Sequence, residues 1–417
     1  MIMGCFLDTL KKEDCLGCEA CVQACHKNAI MMTEDEEGFR YPLVDNKKCV
    51  NCNLCKKVCP IENMPYRYSD DKFAFGGYIK DAKVRDQSTS GGAFSAIEQA
   101  YCDDNYIIFG AETKGIKVFH SYITDICELK KYRKSKYSQS AIGDAYKECR
   151  RFLKEGKKVL FSGTPCQIAA LKSFLENKEY DNLLTVEVIC EGVPSPKYIE
   201  KYADSLKQRF NSEIDTLDYR YTNSNSSENP VSGKWDFEVM YTLLKDGTAF
   251  RKDRWFNPFW SIWLNHLMSR PSCYVCPFAN TARVADISLG DLWGVHLYCP
   301  ELYGKNLGSS LVICNTRKGK DIFQKAQEFM YGHKLDFNIA LKYQSPMRKT
   351  ISPNSNRSDF MSDLIDPGLT YEAINKKWAK KPSIKLLYQK YIWGNRQKIA
   401  VWNFRRKFRK GGNYGND

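Results

Sequence analysis

Residues 158–190 read KVLFSGTPCQIAALKSFLENKEYDNLLTVEVIC, and this stretch decides the fold. Lys158 to Ser162 is a short apolar run with strand character, Gln167 to Glu176 carries helical spacing, and Leu183 to Cys190 is a second strand. Strand, helix and strand within about 30 residues form a right-handed parallel crossover in nearly every instance. The expected class is therefore α/β. The crossover also puts Cys166 and Cys190 just beyond the carboxyl ends of two neighbouring strands, the edge where open α/β sheets bind ligands.

The same alternation extends on both sides. Ser90-Gly91-Gly92 opens a helical run through Ala100, Tyr106 to Gly110 and Val118 to Tyr122 have strand patterns, and Ile142 to Lys154 is helical. Further on, Trp235 to Leu244 and Thr248 to Lys252 flank Lys245-Asp246-Gly247, a hairpin signal. Ahead of the body, the polar, proline-containing stretch Ile61 to Lys72 suits a linker. With 417 residues, 43% of them hydrophobic, the chain has material for two or three domains. The divisions expected are 1–64, a small α+β cysteine-rich unit; 73–330, a larger mixed α/β body; and 331–417, a basic helical extension.

The first unit carries the most specific motif. Cys15, Cys18, Cys21 and Cys25 are spaced C-x2-C-x2-C-x3-C, and Cys49, Cys52, Cys55 and Cys59 repeat the spacing with Pro60 following. Each three-cysteine run wraps three corners of a cubane, and the fourth ligand comes from the opposite run. Two [4Fe–4S] clusters are expected, one on Cys15, Cys18, Cys21 and Cys59, the other on Cys49, Cys52, Cys55 and Cys25. Paired zinc knuckles would leave the doubled spacing without a reason. His26 stands where the usual pattern has proline, and it removes no ligand.

Four more cysteines are suggestively placed: Cys166, Cys190, and Cys273 with Cys276 in a C-x2-C-P run. By spacing alone they fit either a third [4Fe–4S] cluster or buried thiols, since free cysteine is commonly a small buried hydrophobe. Burial is the reading for Cys5, Cys102, Cys127, Cys149, Cys299 and Cys314. The run Ser88-Thr89-Ser90-Gly91-Gly92 before a helix fits a phosphate cradle, and equally a plain helix start.

Six segments in order carry a resemblance: Ser90-Gly91-Gly92-Ala93-Phe94-Ser95, Ser135-Lys136-Tyr137, Val159 to Ile168, Cys190-Glu191-Gly192-Val193-Pro194-Ser195-Pro196, Arg270 to Phe278, and Gly290-Asp291-Leu292-Trp293-Gly294. Together they resemble the coenzyme F420 hydrogenase/dehydrogenase beta-subunit family, from about Phe73 to about Lys320, with a ferredoxin unit fused ahead. The resemblance implies an FAD-binding α/β domain with a nearby [4Fe–4S] cluster held by Cys166, Cys190, Cys273 and Cys276. It further implies FAD contacts from Ser90, Gly91, Gly92, Lys136, Gly163 and Thr164, with Lys136 as a phosphate partner. Glu191 departs from the family, in which histidine is frequent at that place, and this leaves any proton-handling role there in doubt.

The implied function is an iron–sulfur flavoprotein oxidoreductase passing electrons between a ferredoxin-type carrier or reduced coenzyme F420 and an organic substrate. The alternative is a non-catalytic electron-transfer subunit serving a partner enzyme. No segment assigns the catalytic residues, the substrate or the direction of flow.

Net charge is +14, and from Ala373 to Asn416 there are 13 Lys or Arg and no acidic residue. A basic tail on a near-neutral body points to a local contact. Trp378, Tyr388, Tyr391, Trp393, Trp402, Phe404 and Phe408 interleave with those charges, compatible with a peripheral membrane contact or with a helix packed on the body. Nucleic acid is disfavoured, since no RNA- or DNA-binding motif is present. Met1 to Asp14 lacks the features of a secretory signal, and paired cysteines in a reducing compartment read as metal ligands, so a cytoplasmic protein is expected.

Overall fold

The structure, a computed structural model, describes residues 3–221, 239–302 and 307–385, with positions 387 and 406. Ten strands belong to two of its sheets. A hairpin of β1 (Ile30–Glu34) and β2 (Arg40–Val44) lies in the cysteine-rich unit. The body is an eight-stranded mixed sheet of β3 (Phe73–Ile79), β4 (Tyr106–Lys114), β5 (Lys117–Ile123), β6 (Lys158–Gly163), β7 (Leu183–Val188) and, later in the chain, Ile287–Asp291, Ser310–Cys314 and Met330–Leu335. Between these come the three strands of a small antiparallel sheet, β8 (Ile214–Tyr221), β9 (Val239–Leu244) and β10 (Ala249–Lys252), so the last three body strands are β11, β12 and β13. The order in the large sheet is β13-β3-β12-β11-β7-β6-β4-β5.

The crossover is as expected. β6 and β7 pair in parallel, Val159 opposite Leu183 and Gly163 opposite Glu187. The helix Pro165–Phe174 between them starts on a capping box, in which Thr164 and Gln167 satisfy each other's orphan groups, with Pro165 in the first turn. Val159, Leu160 and Phe161 have no exposure; at roughly 1.5–3 kcal/mol per fully buried large apolar side chain, this centre of the sheet outweighs any local propensity. The chain forms parallel pairs β4 with β6, β6 with β7 and β7 with β11. β3 lies two antiparallel steps from β11, across β12, and so shares their direction. Five carboxyl ends therefore open on one edge. The hairpin β9–β10 also forms, around Lys245-Asp246-Gly247.

Two expected boundaries look different in three dimensions. Leu16 and Ala20 of the cysteine-rich unit belong to the same buried core as Ile107, Phe109, Tyr146 and Phe161 of the body. Glu19 accepts the amides of Ile142 and Gly143, and Gln23 those of Tyr146 and Lys147, at 3.0–3.1 Å. At the other end, Met330 begins β13, which pairs along β3, so the body continues past residue 330. Beyond it, the helices Arg357–Ile365 and Tyr371–Trp378 pack on the core of the small sheet. Trp378 donates to Asp363 at 2.6 Å and meets Phe360 edge-on, so the first aromatic of the basic tail packs on the body. Its other aromatics lie outside the described residues. Among the described residues no helix is long and apolar enough to cross a membrane.

Candidate functional site

Tight turns place the first cysteine run. Gly17, with φ +65, lets the loop reverse after Cys15, whose Sγ accepts the Gly17 amide at 3.4 Å. The short helix Ala20–Ala24 carries Cys21 and ends at Cys25, whose Sγ takes the Ala29 amide at 3.2 Å. Cys15, Cys18, Cys21 and Cys59 line one cavity, together with Cys55 and Cys5. Cys25 and Cys49 sit at the same end of the β1–β2 hairpin, because Asp45 links Ala29 to Cys49 through backbone bonds. Cys55 lies on the helix Leu54–Lys57, packed against the helix that leads to Cys25, and Cys52 is exposed. The second quartet thus gathers at one end of the unit, with Cys55 also lining the first cavity.

Cys166, Cys190, Cys273 and Cys276 line a second cavity at the carboxyl edge of β6 and β7. Cys166 sits in the first turn of the crossover helix, and its Sγ lies 3.1 Å from Thr164 Oγ1. Gly192, with φ +113, turns the chain after Cys190 and brings its amide to that sulfur at 3.3 Å. Burial pushes all four thiols up, Cys273 to about 12 and Cys276 to about 11. Protonated thiols of this kind give up their protons on binding a metal centre.

Arg270 joins the two cavities. It is 1% exposed and donates to the carbonyls of Cys15 and Arg40 at 3.0 Å and to Gln139 Oε1 at 3.1 Å. Leu16 lines both cavities. Burial raises the Cys15 and Cys166 thiols, while the guanidinium draws both down. Those three hydrogen-bond partners are neutral, and burying a cation costs several kcal/mol unless an anion lies near it. A thiolate-ligated iron–sulfur cluster is such an anion, so the residues present fit that group. Arg283, also lining the second cavity, is paired instead with the buried Glu187, which accepts from Ser288 at 2.6 Å as well.

The residues that the resemblance assigns to FAD occupy the same edge but are engaged by the protein itself. Ser90 donates to the Ser309 carbonyl at 2.8 Å, and the Gly91 amide reaches Ser310 Oγ at 2.9 Å. A Cβ at Gly91 would lie 2.4 Å from the Gly77 carbonyl, so this glycine is required by the approach of β3 and β12. Gly92, with φ +80, caps the helix Ala93–Tyr101. The Ser-Gly-Gly run thus serves as a helix start whose Ser90 hydroxyl and Gly91 amide are held by Ser309 and Ser310. Lys136 donates to the carbonyls of Lys131 and Arg133 at 3.0 and 2.8 Å, and burial lowers it to about 7. Gly163 ends β6, and the Thr164 amide is held by Gln167 Oε1 at 3.0 Å. His120, which sequence reasoning passed over, is buried beside Gly163, with Nδ1 2.9 Å from Ser140 Oγ and Nε2 3.0 Å from the Ser162 carbonyl. Burial lowers it to about 4.

Cys5 is buried as expected, and it lines the first cavity together with Cys59. It stands ten residues ahead of the repeat, and no spacing signals it. Of the other cysteines read as buried, Cys149, Cys299 and Cys314 are so, Cys102 is half-buried, and Cys127 is exposed. Cys127 lies in the first turn of the short 3₁₀ helix Ile126–Lys131, where its amide donates to Asp125 Oδ1 at 2.9 Å. His26 is exposed.

Residues 156–333 match the family model for the C terminus of the coenzyme F420 hydrogenase/dehydrogenase beta subunit, and residues 14–63 match the 4Fe-4S dicluster domain. The resemblance read from the motifs is borne out from residue 156 onward, while its first two segments, at Ser90–Ser95 and Ser135–Tyr137, precede the matched residues. A segment matching the dicluster domain thus precedes one matching that C-terminal family model. An uncharacterized ferredoxin of Methanocaldococcus jannaschii is 39% identical over 49 residues, 12% of this chain and 62% of the ferredoxin. The chain thus spans less than two thirds of the length of that relative. A chain in a xenon-derivatized structure of the F420-reducing [NiFe] hydrogenase complex from Methanosarcina barkeri is 17% identical with a TM-score of 0.42, covering 67% of this chain and 88% of that one.

Proposed function

We infer that this protein relays electrons between a one-electron carrier and a second redox partner through three [4Fe–4S] clusters. The ligands would be Cys15, Cys18, Cys21 and Cys59; Cys49, Cys52, Cys55 and Cys25; and Cys166, Cys190, Cys273 and Cys276. The observation that carries the reading is the continuity of the first and third sites through Leu16 and Arg270. Bound there, the clusters would each supply one-electron exchange. The chain's own part is to shield: Leu16 lines both cavities, Phe278 lines the second, and Arg270 holds a fixed positive charge beside both.

The finer reading is an oxidoreductase that takes electrons from a ferredoxin-type carrier or reduced coenzyme F420 and acts on an organic substrate with FAD. It rests on the family and on the place of Lys136, Gly163 and Thr164 at the carboxyl edge. Against it stands the engagement of Ser90 and Gly91 by Ser309 and Ser310, with Gly92 capping a helix. A non-catalytic subunit beside a partner enzyme is the second reading, favoured by that same engagement.

Anaerobic reconstitution tests the relay. The full chain should hold about 12 iron atoms, against about 8 for the dicluster segment alone, and Cys166→Ser should lose about a third. A Cys166→Ser chain with its full iron would overturn the third site. Purification with added FAD, followed by addition of reduced F420, reduced ferredoxin or NADPH in turn, separates the two finer readings: flavin that bleaches with one donor supports the enzyme, and a chain that takes up no flavin supports the relay subunit.

A further inference from the structure

We propose that Cys299, Glu301 and His333 form a zinc site, separate from the iron–sulfur cysteines. The three donor atoms lie within 4.8 Å of one another. Cys299 Sγ is 3.6 Å from His333 Nε2, and that nitrogen is 3.3 Å from Glu301 Oε1. Tetrahedral zinc with its usual bond lengths to sulfur, nitrogen and oxygen needs donor separations of about 3.6 Å for the first pair and about 3.4 Å for the second. The side chains already stand at those separations.

Their supports come from different parts of the fold. His333 is on the edge strand β13, opposite Gly76 of β3. Cys299 follows the short helix Val295–Tyr298, and its carbonyl takes the Leu302 amide at 3.0 Å, a turn that sets Cys299 and Glu301 toward the same point. Leu302 is buried in the core beneath, and Ser309 holds its carbonyl at 2.7 Å. Cys299 is 4% exposed, whereas the His333 and Glu301 side chains are 46% and 57% exposed. The sulfur is therefore fixed by packing, and the other two donors close over it from solvent. Thiolate, carboxylate and Zn²⁺ sum to neutrality, so the metal would be held without a buried net charge. Three protein ligands leave the fourth position to water or an exchangeable ligand, the open form of a zinc centre.

The site would clip the segment after Gly290-Asp291-Leu292-Trp293-Gly294 to the sheet edge. The test uses the cluster-loaded full chain, stripped of adventitious metal with a mild chelator and given zinc chloride. About one zinc per chain should survive gel filtration, with a zinc-edge X-ray absorption spectrum of one sulfur and the rest nitrogen or oxygen. His333→Ala, at a half-exposed position that folding tolerates, should lose the zinc while its iron content stays unchanged, and Cys299→Ser should do the same. Retention of zinc by His333→Ala, a shell of four sulfurs marking zinc in a cluster site, or no retained zinc in the parent chain would each overturn the assignment.

Discussion

Replacing Arg270 with methionine keeps most of its volume and removes its charge. A cation beside an iron–sulfur cluster favours the reduced form, which carries one more negative charge, so the variant's midpoint potentials should fall. A shift on the order of 60 mV corresponds to about 1.4 kcal/mol for a one-electron couple. Potentiometric titration followed by electron paramagnetic resonance reads it, and unchanged potentials with full iron would leave Arg270 a packing residue only. His120 gives a second test at this scale. Its folded value of about 4 lies below the unfolded value near 6.5, so the unfolded chain binds more protons below pH 6.5. Stability should therefore be lost as pH falls from 6.5 toward 4. His120→Gln should flatten that slope in thermal melts between pH 7.5 and 5.5. Neither residue was legible as functional: Arg270 stood in a quoted motif without a role, and His120 sits in a strand whose burial is set by distant partners, Ser140 and Ser162.

At the scale of elements, the local signals were the readable ones. The crossover from Lys158 to Cys190 and the β9–β10 hairpin depend on contacts close in sequence, and both form where the pattern put them. Strand β3 is joined to β12 and β13 across more than 200 residues, and no periodicity states such a pairing. Gly91 shows the limit from the other side. Its place before a helix fitted a cradle, yet the neighbour that demands glycine is the Gly77 carbonyl on β3. Gly91→Ala should accordingly destabilise the fold by about 1–3 kcal/mol, the usual range for overpacking, seen as a lower melting temperature. A melting temperature unchanged from the parent chain would show that β3 and β12 can part to admit the methyl group.

The whole molecule was the hardest scale to read. The polar stretch after Cys59 suggested a tethered unit, but Tyr68 within it bonds to Arg283 in both directions at 2.7 and 2.9 Å, and Arg67 donates to the Pro277 carbonyl at 3.1 Å. Deleting residues 1–64 would uncover the faces of the helices Ala145–Lys154 and Pro165–Phe174 on which Ala20–Ala24 packs, and leave the amides of Ile142 and Tyr146 without their Glu19 and Gln23 acceptors. The truncated body should aggregate or melt well below the full chain, and light scattering during a thermal ramp checks this. A truncated body as stable as the parent would mean that the shared core contributes little.

That docking has a kinetic consequence. A ferredoxin arm swinging on a linker would make each internal hop wait on diffusion, whereas Leu16 and Arg270 hold the first and third sites in fixed register. Electron exchange inside the molecule should then be indifferent to solvent viscosity, and only the encounter with an external carrier should slow as glycerol is added.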